Sequence, residues 1–200
     1  MRRRILVLSV AVVAVVASAC SSGGHHSAAG TTTSTTASAG PNPDVIPSVI
    51  TPAYVDAVFR VLEHIDGNAS RSLIAAKAVT PQVLADIRAI YNDPLYAEEV
   101  QIAHQSLQGD LTNVKKPPGD VVITVTSLIS SSGRCVFVRT ASDYSAVLLN
   151  PGPAVGAEYW ALRRKTAGDD PGNINPTPWA LAFNVDYSSG PTIVSNPCAG

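Results

Sequence analysis

The chain has 200 residues, a formal net charge of -1 and only 14% charged side chains. With Arg2, Arg3 and Arg4 set aside, eleven basic residues face fifteen acidic ones, a balance of -4 that offers nucleic acid no clustered Lys and Arg surface. There is no G-x-S-x-G elbow, no HExxH, no CxxC and no phosphate-cradling glycine loop, so the commonest hydrolase, metalloprotease, redox and nucleotide-binding chemistries lack their residues.

Residues 1–19 have the pattern of an export signal: three arginines, then an apolar run from Ile5 to Ala19 that is too short to span a bilayer. Ala17-Ser18-Ala19 fits ordinary signal cleavage. Ala17-Ser18-Ala19-Cys20 also resembles a bacterial lipobox, in which the cysteine is acylated and becomes the new N-terminus, although Ala17 stands where Leu is commoner. Of the three cysteines, Cys20, Cys135 and Cys198, a lipid on Cys20 leaves Cys135 and Cys198 as an even pair for an oxidising compartment. The expected address is therefore the extracytoplasmic face of the cell membrane, reached by the general export route rather than by the twin-arginine route that "RRRIL" loosely resembles.

Residues 20–43 contain no Val, Ile, Leu, Met or aromatic side chain and cannot offset their ordering entropy by burial. They read as a Ser/Thr/Gly-rich tether reaching about 25–30 Å. His25 and His26 lie in this stretch without the further ligands or fixed geometry of a metal site.

Residues 44–200 are long enough for one domain with its own core, and no second linker divides them. Thr51-Pro52, Thr80-Pro81 and Asp93-Pro94 each place a capping side chain before a proline at a first helical position. Val55, Val58, Phe59, Leu62 and Ile65 form an apolar stripe at helical spacing, which Gly67 is expected to end in a left-handed stop. Asp56 and Arg60 fall on its polar side. A weaker helix is expected over residues 69–79. Further stripes follow at Val83, Leu84, Ile87, Ile90 and Tyr91, then at Tyr96, Val100, Ala103 and Leu107, making four helices.

After "KKPPGD" the period changes to two. Strands are expected at Val121–Thr126, in "RCVFVRT" after a Ser131-Gly133 turn, in "YSAVLL", in "EYWALRRK" and in "WALAFNVDY". The basic run Arg163-Arg164-Lys165 reads as a solvated strand end. Trp179, Leu181, Phe183, Val185 and Tyr187 should share one face of the fifth strand. Helices followed by strands predict an α+β domain, with the N-terminal helices packed on an antiparallel meander sheet of about five strands. The aperiodic tail needs fastening, and a Cys135–Cys198 bridge would clip it to the second strand. Closing a loop of about 64 residues, it would contribute roughly 4 kcal/mol on the chain-entropy model.

The export signal, Cys20, the tether and the segments "DPLY", "NPTPWA" and "NPCAG" together resemble uncharacterised secreted lipoproteins of actinobacteria. Helices against a curved meander also resemble the NTF2-like cone fold, although here every helix precedes every strand. That resemblance implies a cavity between sheet and helices, and Trp179, Phe183 and Tyr187 are the candidate ligand pocket. In cone-fold enzymes such a cavity holds an acidic base beside a tyrosine; Asp56 with Tyr54, or Asp186 with Tyr144 or Tyr159, are the pairs on offer. Neither carboxylate is expected to face the cavity, so no catalytic residue is assigned. His64 should sit near a helix end, favoured there by the dipole. Glu99 and His104, five residues apart, lie about 140° from one another on a helix and cannot share one ion.

The sequence thus points to a lipid-anchored binding or interaction module, held to the membrane by its N-terminal lipid and taking a small molecule or a protein as partner. It requires no cofactor and no metal, and it offers no nucleic-acid surface. The alternatives are a small cone-fold enzyme and a ligand- or lipid-carrying lipoprotein.

Overall fold

A computed structural model describes residues 40–151, 155–186 and 195–199; Cys20 and Tyr187 lie outside these. Three helices, α1 (Pro52–Ala76), α2 (Pro81–Ile90) and α3 (Leu95–Ser106), precede four strands, β1 (Val122–Ser131), β2 (Cys135–Asp143), β3 (Val155–Arg164) and β4 (Trp179–Asp186). The strands form an antiparallel meander in the order β1-β2-β3-β4. This is the α+β layout expected, with one helix and one strand fewer.

Two of the three anticipated caps form. Thr51 Oγ1 accepts from the Tyr54 amide and Thr80 Oγ1 from the Val83 amide, each at 3.3 Å, with proline following. Asp93 does not cap α3, which starts at Leu95 without a side-chain cap; its carboxylate pairs with Arg88 at 3.2 Å instead.

Helix α1 does not stop at Gly67. It is 25 residues long in all and is capped at Lys77, which takes the left-handed conformation at φ 50°. Gly67 is needed there for a different reason. A Cβ on it would lie 2.0 Å from Oδ1 of Asp120, so the helix surface must be bare where that carboxylate crosses. Because α1 is packed against both α2 and β1, its buried set includes Val55, Val58, Phe59, Leu62, Ile65, Ala69 and Leu73, together with Glu63 and Asp66.

The segment "YSAVLL" does not join the sheet. Asp143 Oδ1 accepts from the Ser145 amide at 2.8 Å, and Tyr144 O accepts from the amides of Val147 and Leu148, so the chain turns at once. It pairs instead with the connection after α3: Val114 bridges Leu148, and the Gly119 amide bonds Ala146 O at 3.0 Å.

The helix-facing side of the sheet carries Val136, Val138, Trp160, Leu162, Trp179 and Leu181 into one core with α1 and α2. Phe59 meets Trp160 edge to face at 6.4 Å, and Trp179 Nε1 donates to the Tyr54 hydroxyl at 2.8 Å. The long loop before β4 is pinned down as well. Asn175 donates to Ala89 O and Trp179 O, while its own Oδ1 accepts from Thr177. At the far end, Cys135 and Cys198 are disulfide-bonded, and Asn196 bonds Ser130, fixing the tail to β1 and β2. Among the described residues no helix is long and apolar enough to cross a membrane.

Candidate functional site: a cavity beside a buried carboxyl cluster

Of the anticipated pocket residues, Trp179 and Phe183 are not brought together, and Tyr187 lies outside the described residues. Trp179 is fully buried in the helix-side core. Ala161 pairs with Phe183 but Leu162 pairs with Leu181, so Ala182 is an extra residue in β4. That bulge reverses the alternation and sends Phe183 to the opposite face, where it packs on Phe137 with ring centres 6.4 Å apart. Asp56 is not on a free polar side either: its Oδ1 accepts from the Val125 amide at 2.7 Å, tying α1 to β1. Tyr54 is occupied by Trp179, and Tyr159 stacks at 5.8 Å on Phe137. The side chain of Asp186 lies outside the described residues.

The concave space lies at the other end of α1. Between the second half of that helix and the connection from α3 to β1 is a cavity of about 350 Å3. Its apolar walls are Leu73, Ile74, Leu107, Leu111, Val114 and Val121, with Val147 from the turned-out segment. Among the described residues no aromatic side chain lines it. Three features of the sequence create it. Gly67 and Ser70 give α1 a thin surface, Gly119 lets the connection approach Ala146 closely, and the failure of "YSAVLL" to extend the sheet leaves Val147 as a wall.

Asp66 lines the inner part of this cavity and belongs to a buried acidic cluster. Glu63 and Asp66 come from α1, Glu99 from α3 and Glu158 from β3, each no more than 5% exposed. Glu158 Oε2 accepts from Ser142 Oγ at 3.2 Å and from Trp160 Nε1 at 3.0 Å. Glu63 Oε2 is buried with no hydrogen-bond partner among the described residues. Burial, followed by Asp66 and Glu158, pushes the Glu63 carboxyl well above the ordinary carboxylate range. Asp66 is raised to about 8, first by burial and then by Glu99, while a hydrogen bond from Tyr91 works in the other direction. At neutral pH the carboxyl at the cavity wall is therefore mostly the neutral acid, a hydrogen-bond donor as well as an acceptor.

One carboxylate nearby is only part-buried and is held by two side chains of α1. Asp120 Oδ2 meets His64 Nδ1 at 2.9 Å, and its Oδ1 accepts from Arg71 Nη1 at 2.8 Å. Arg71 also bonds Pro118 O at 3.2 Å. His64, Gly67 and Arg71 follow one another up one face of α1, so this clasp closes the connection over the helix. His64 is thus a mid-helix clasp residue and not a helix-end cation. His104 is exposed on α3, while Glu99 points into the core, as their spacing requires. Among the described residues no three His, Cys, Asp or Glu side chains are arranged to hold a metal ion.

Glu63 and Asp66 escaped the sequence reading, which weighs Glu99 only as a metal ligand with His104. With α1 continuous, Leu62, Asp66, Ala69 and Leu73 are one stripe, and Asp66 must face inward. In α3 the buried line is Leu95, Glu99, Ala103 and Ser106, one position away from the stripe of larger residues. Comparison of the chain with protein families, with curated proteins and with solved structures finds no match.

Proposed function

We propose that this chain is a lipid-anchored extracytoplasmic module that binds a small apolar ligand in the cavity beside α1. The cavity carries the reading: it is concave, walled mainly by aliphatic side chains, and falls within the size range of small-molecule sites, with a few polar side chains, Asp66 and Ser106 among them, in its lining. The anchor rests on the sequence, where Arg2–Arg4, the apolar run and Cys20 stand in order, and on the Cys135–Cys198 disulfide, which leaves Cys20 as the one cysteine over.

Native mass spectrometry of the chain purified from an exporting bacterial host tests the ligand. A retained small molecule that disappears in a Ser70→Phe variant supports the reading, because Ser70 lines the cavity. A clean apo mass in both moves the weight to surface contacts with a protein partner. For the anchor, Cys20→Ser should move the protein from the membrane fraction to the medium; continued retention contradicts it.

The hydrogen bond from Tyr91 to Asp66 favours a second reading, a small enzyme in which Asp66 moves a proton. Such an enzyme in its Asp66→Asn form should retain a ligand of different mass from the one the wild type retains. Equal masses would remove the enzyme.

A further inference from the structure

The cavity is polar at both ends and apolar between them, and only one of the two ends carries cationic side chains. Asp66, 5% exposed, stands at one end. Lys77 and Lys116 stand at the other, both lining the cavity and both exposed, so they mark its mouth. Along α1, Asp66 and Lys77 are eleven residues apart, about 16 Å at the helical rise.

The chain has four lysines, and their engagement separates them sharply. Lys165 pairs with Asp170 at 3.2 Å, and Lys115 donates to Ser145 O at 2.6 Å. Lys77 and Lys116 have neither an ion pair nor a hydrogen bond among the described residues. Two unpaired ammonium groups at the mouth of an aliphatic cavity are complementary to an anionic head followed by an apolar tail. The volume, at the low end for a small-molecule site, suits one chain rather than two.

Building on the cavity reading, we infer that the ligand is a single-chain anionic amphiphile, of the long-chain carboxylate class, with its head at Lys77 and Lys116 and its tail running along Ser70 and Leu73. The reverse orientation would bury the anionic head beside Asp66, away from Lys77 and Lys116, the only cationic side chains among the described residues that line the cavity.

The test is calorimetric titration of the full chain carrying Cys20→Ser with three probes kept below their micellar concentrations: dodecanoate, dodecanol and dodecyltrimethylammonium. Dodecanoate should bind more tightly than dodecanol, and the cation most weakly. A Lys77→Ala/Lys116→Ala variant should lose roughly tenfold in dodecanoate affinity, two exposed charge contacts' worth, and leave dodecanol unchanged. The Lys77→Arg/Lys116→Arg variant should keep wild-type affinity. Both positions are exposed, so these variants fold. Dodecanoate binding unchanged in the double alanine variant, or a cation that binds as well as the anion, overturns the head-group assignment while dodecanol binding upholds the cavity. If no dodecyl probe binds, the cavity reading falls with it.

Discussion

The first half of α1 presents Tyr54, Val58, Phe59 and Leu62 to the sheet, where Trp160 and Trp179 fill the space between them. The second half presents Asp66, Ser70 and Leu73 to a gap of about 350 Å3. Both halves belong to one uninterrupted helix, so the difference comes from side-chain size and from what lies opposite. Large aromatic residues bury themselves against each other and leave no room. Small and aliphatic residues, opposed by a connection rather than by a strand, leave a space. A cluster of tryptophans and phenylalanines in a sequence is therefore a poor guide to a cavity in this fold, because those residues are what fill it.

The comparison breaks most visibly under truncation. Leu62 is fully buried in the packed half, and Leu62→Ala should cost about 4 kcal/mol. Leu73→Ala, which only enlarges an existing cavity, should cost about 2 kcal/mol, at the low end for such changes. Urea unfolding of both variants measures the contrast. Equal costs would mean that the second half is as tightly packed as the first.

Much of this layout was legible beforehand. The Thr51 and Thr80 caps, the order of helices before strands and the Ser131-Gly133 turn follow from local chemistry, and the Cys135–Cys198 pairing from the cysteine count. What was not legible depended on distant partners. Gly67 has the appearance of a stop until Asp120, more than fifty residues on, is seen to need its bare surface. That misplaced stop set Asp66 at a helix end and hid it from the buried stripe. The bulge at Ala182 is equally invisible in a strand whose alternation looks perfect, and it alone separates Phe183 from Trp179. "YSAVLL" has the composition of a strand and is turned aside by Asp143 and Tyr144.

The acidic cluster sharpens the comparison through pH. In the fold, Asp66 is raised to about 8 and Glu63 is raised too, whereas the unfolded chain releases both protons near the ordinary carboxylate values. The folded state therefore binds more protons between those limits. This stabilisation is fully present below about pH 4 and is lost as pH rises through about 8. The slope approaches about 1.4 kcal/mol per pH unit for each proton so held. Unfolding at pH 5 and pH 8 should show the protein more stable at the acidic value, with a shallower slope in Asp66→Asn. A profile that rises with pH would mean that Asp66 is ionised in the fold.

Gly67 gives the smallest and most specific effect. Alanine there gains about 1 kcal/mol of helix propensity but must push Asp120 away from His64 and Arg71. Gly67→Ala should therefore destabilise by about 1 kcal/mol in the wild type, since the lost charge-assisted hydrogen bonds outweigh the propensity gain. In an Asp120→Ala background the same change should stabilise. A double-mutant cycle reads the reversal of sign, and additive effects would show that the clasp does not need the glycine.

The most direct test of the central claim is a dodecanoate titration of Ser70→Phe beside the wild type, both carrying Cys20→Ser. A phenyl ring at position 70 fills part of the cavity and leaves Lys77 and Lys116 themselves unaltered. The account predicts that dodecanoate binding falls at least tenfold while the folded state is retained. Binding at wild-type affinity in that variant would contradict it and place the ligand elsewhere on the molecule.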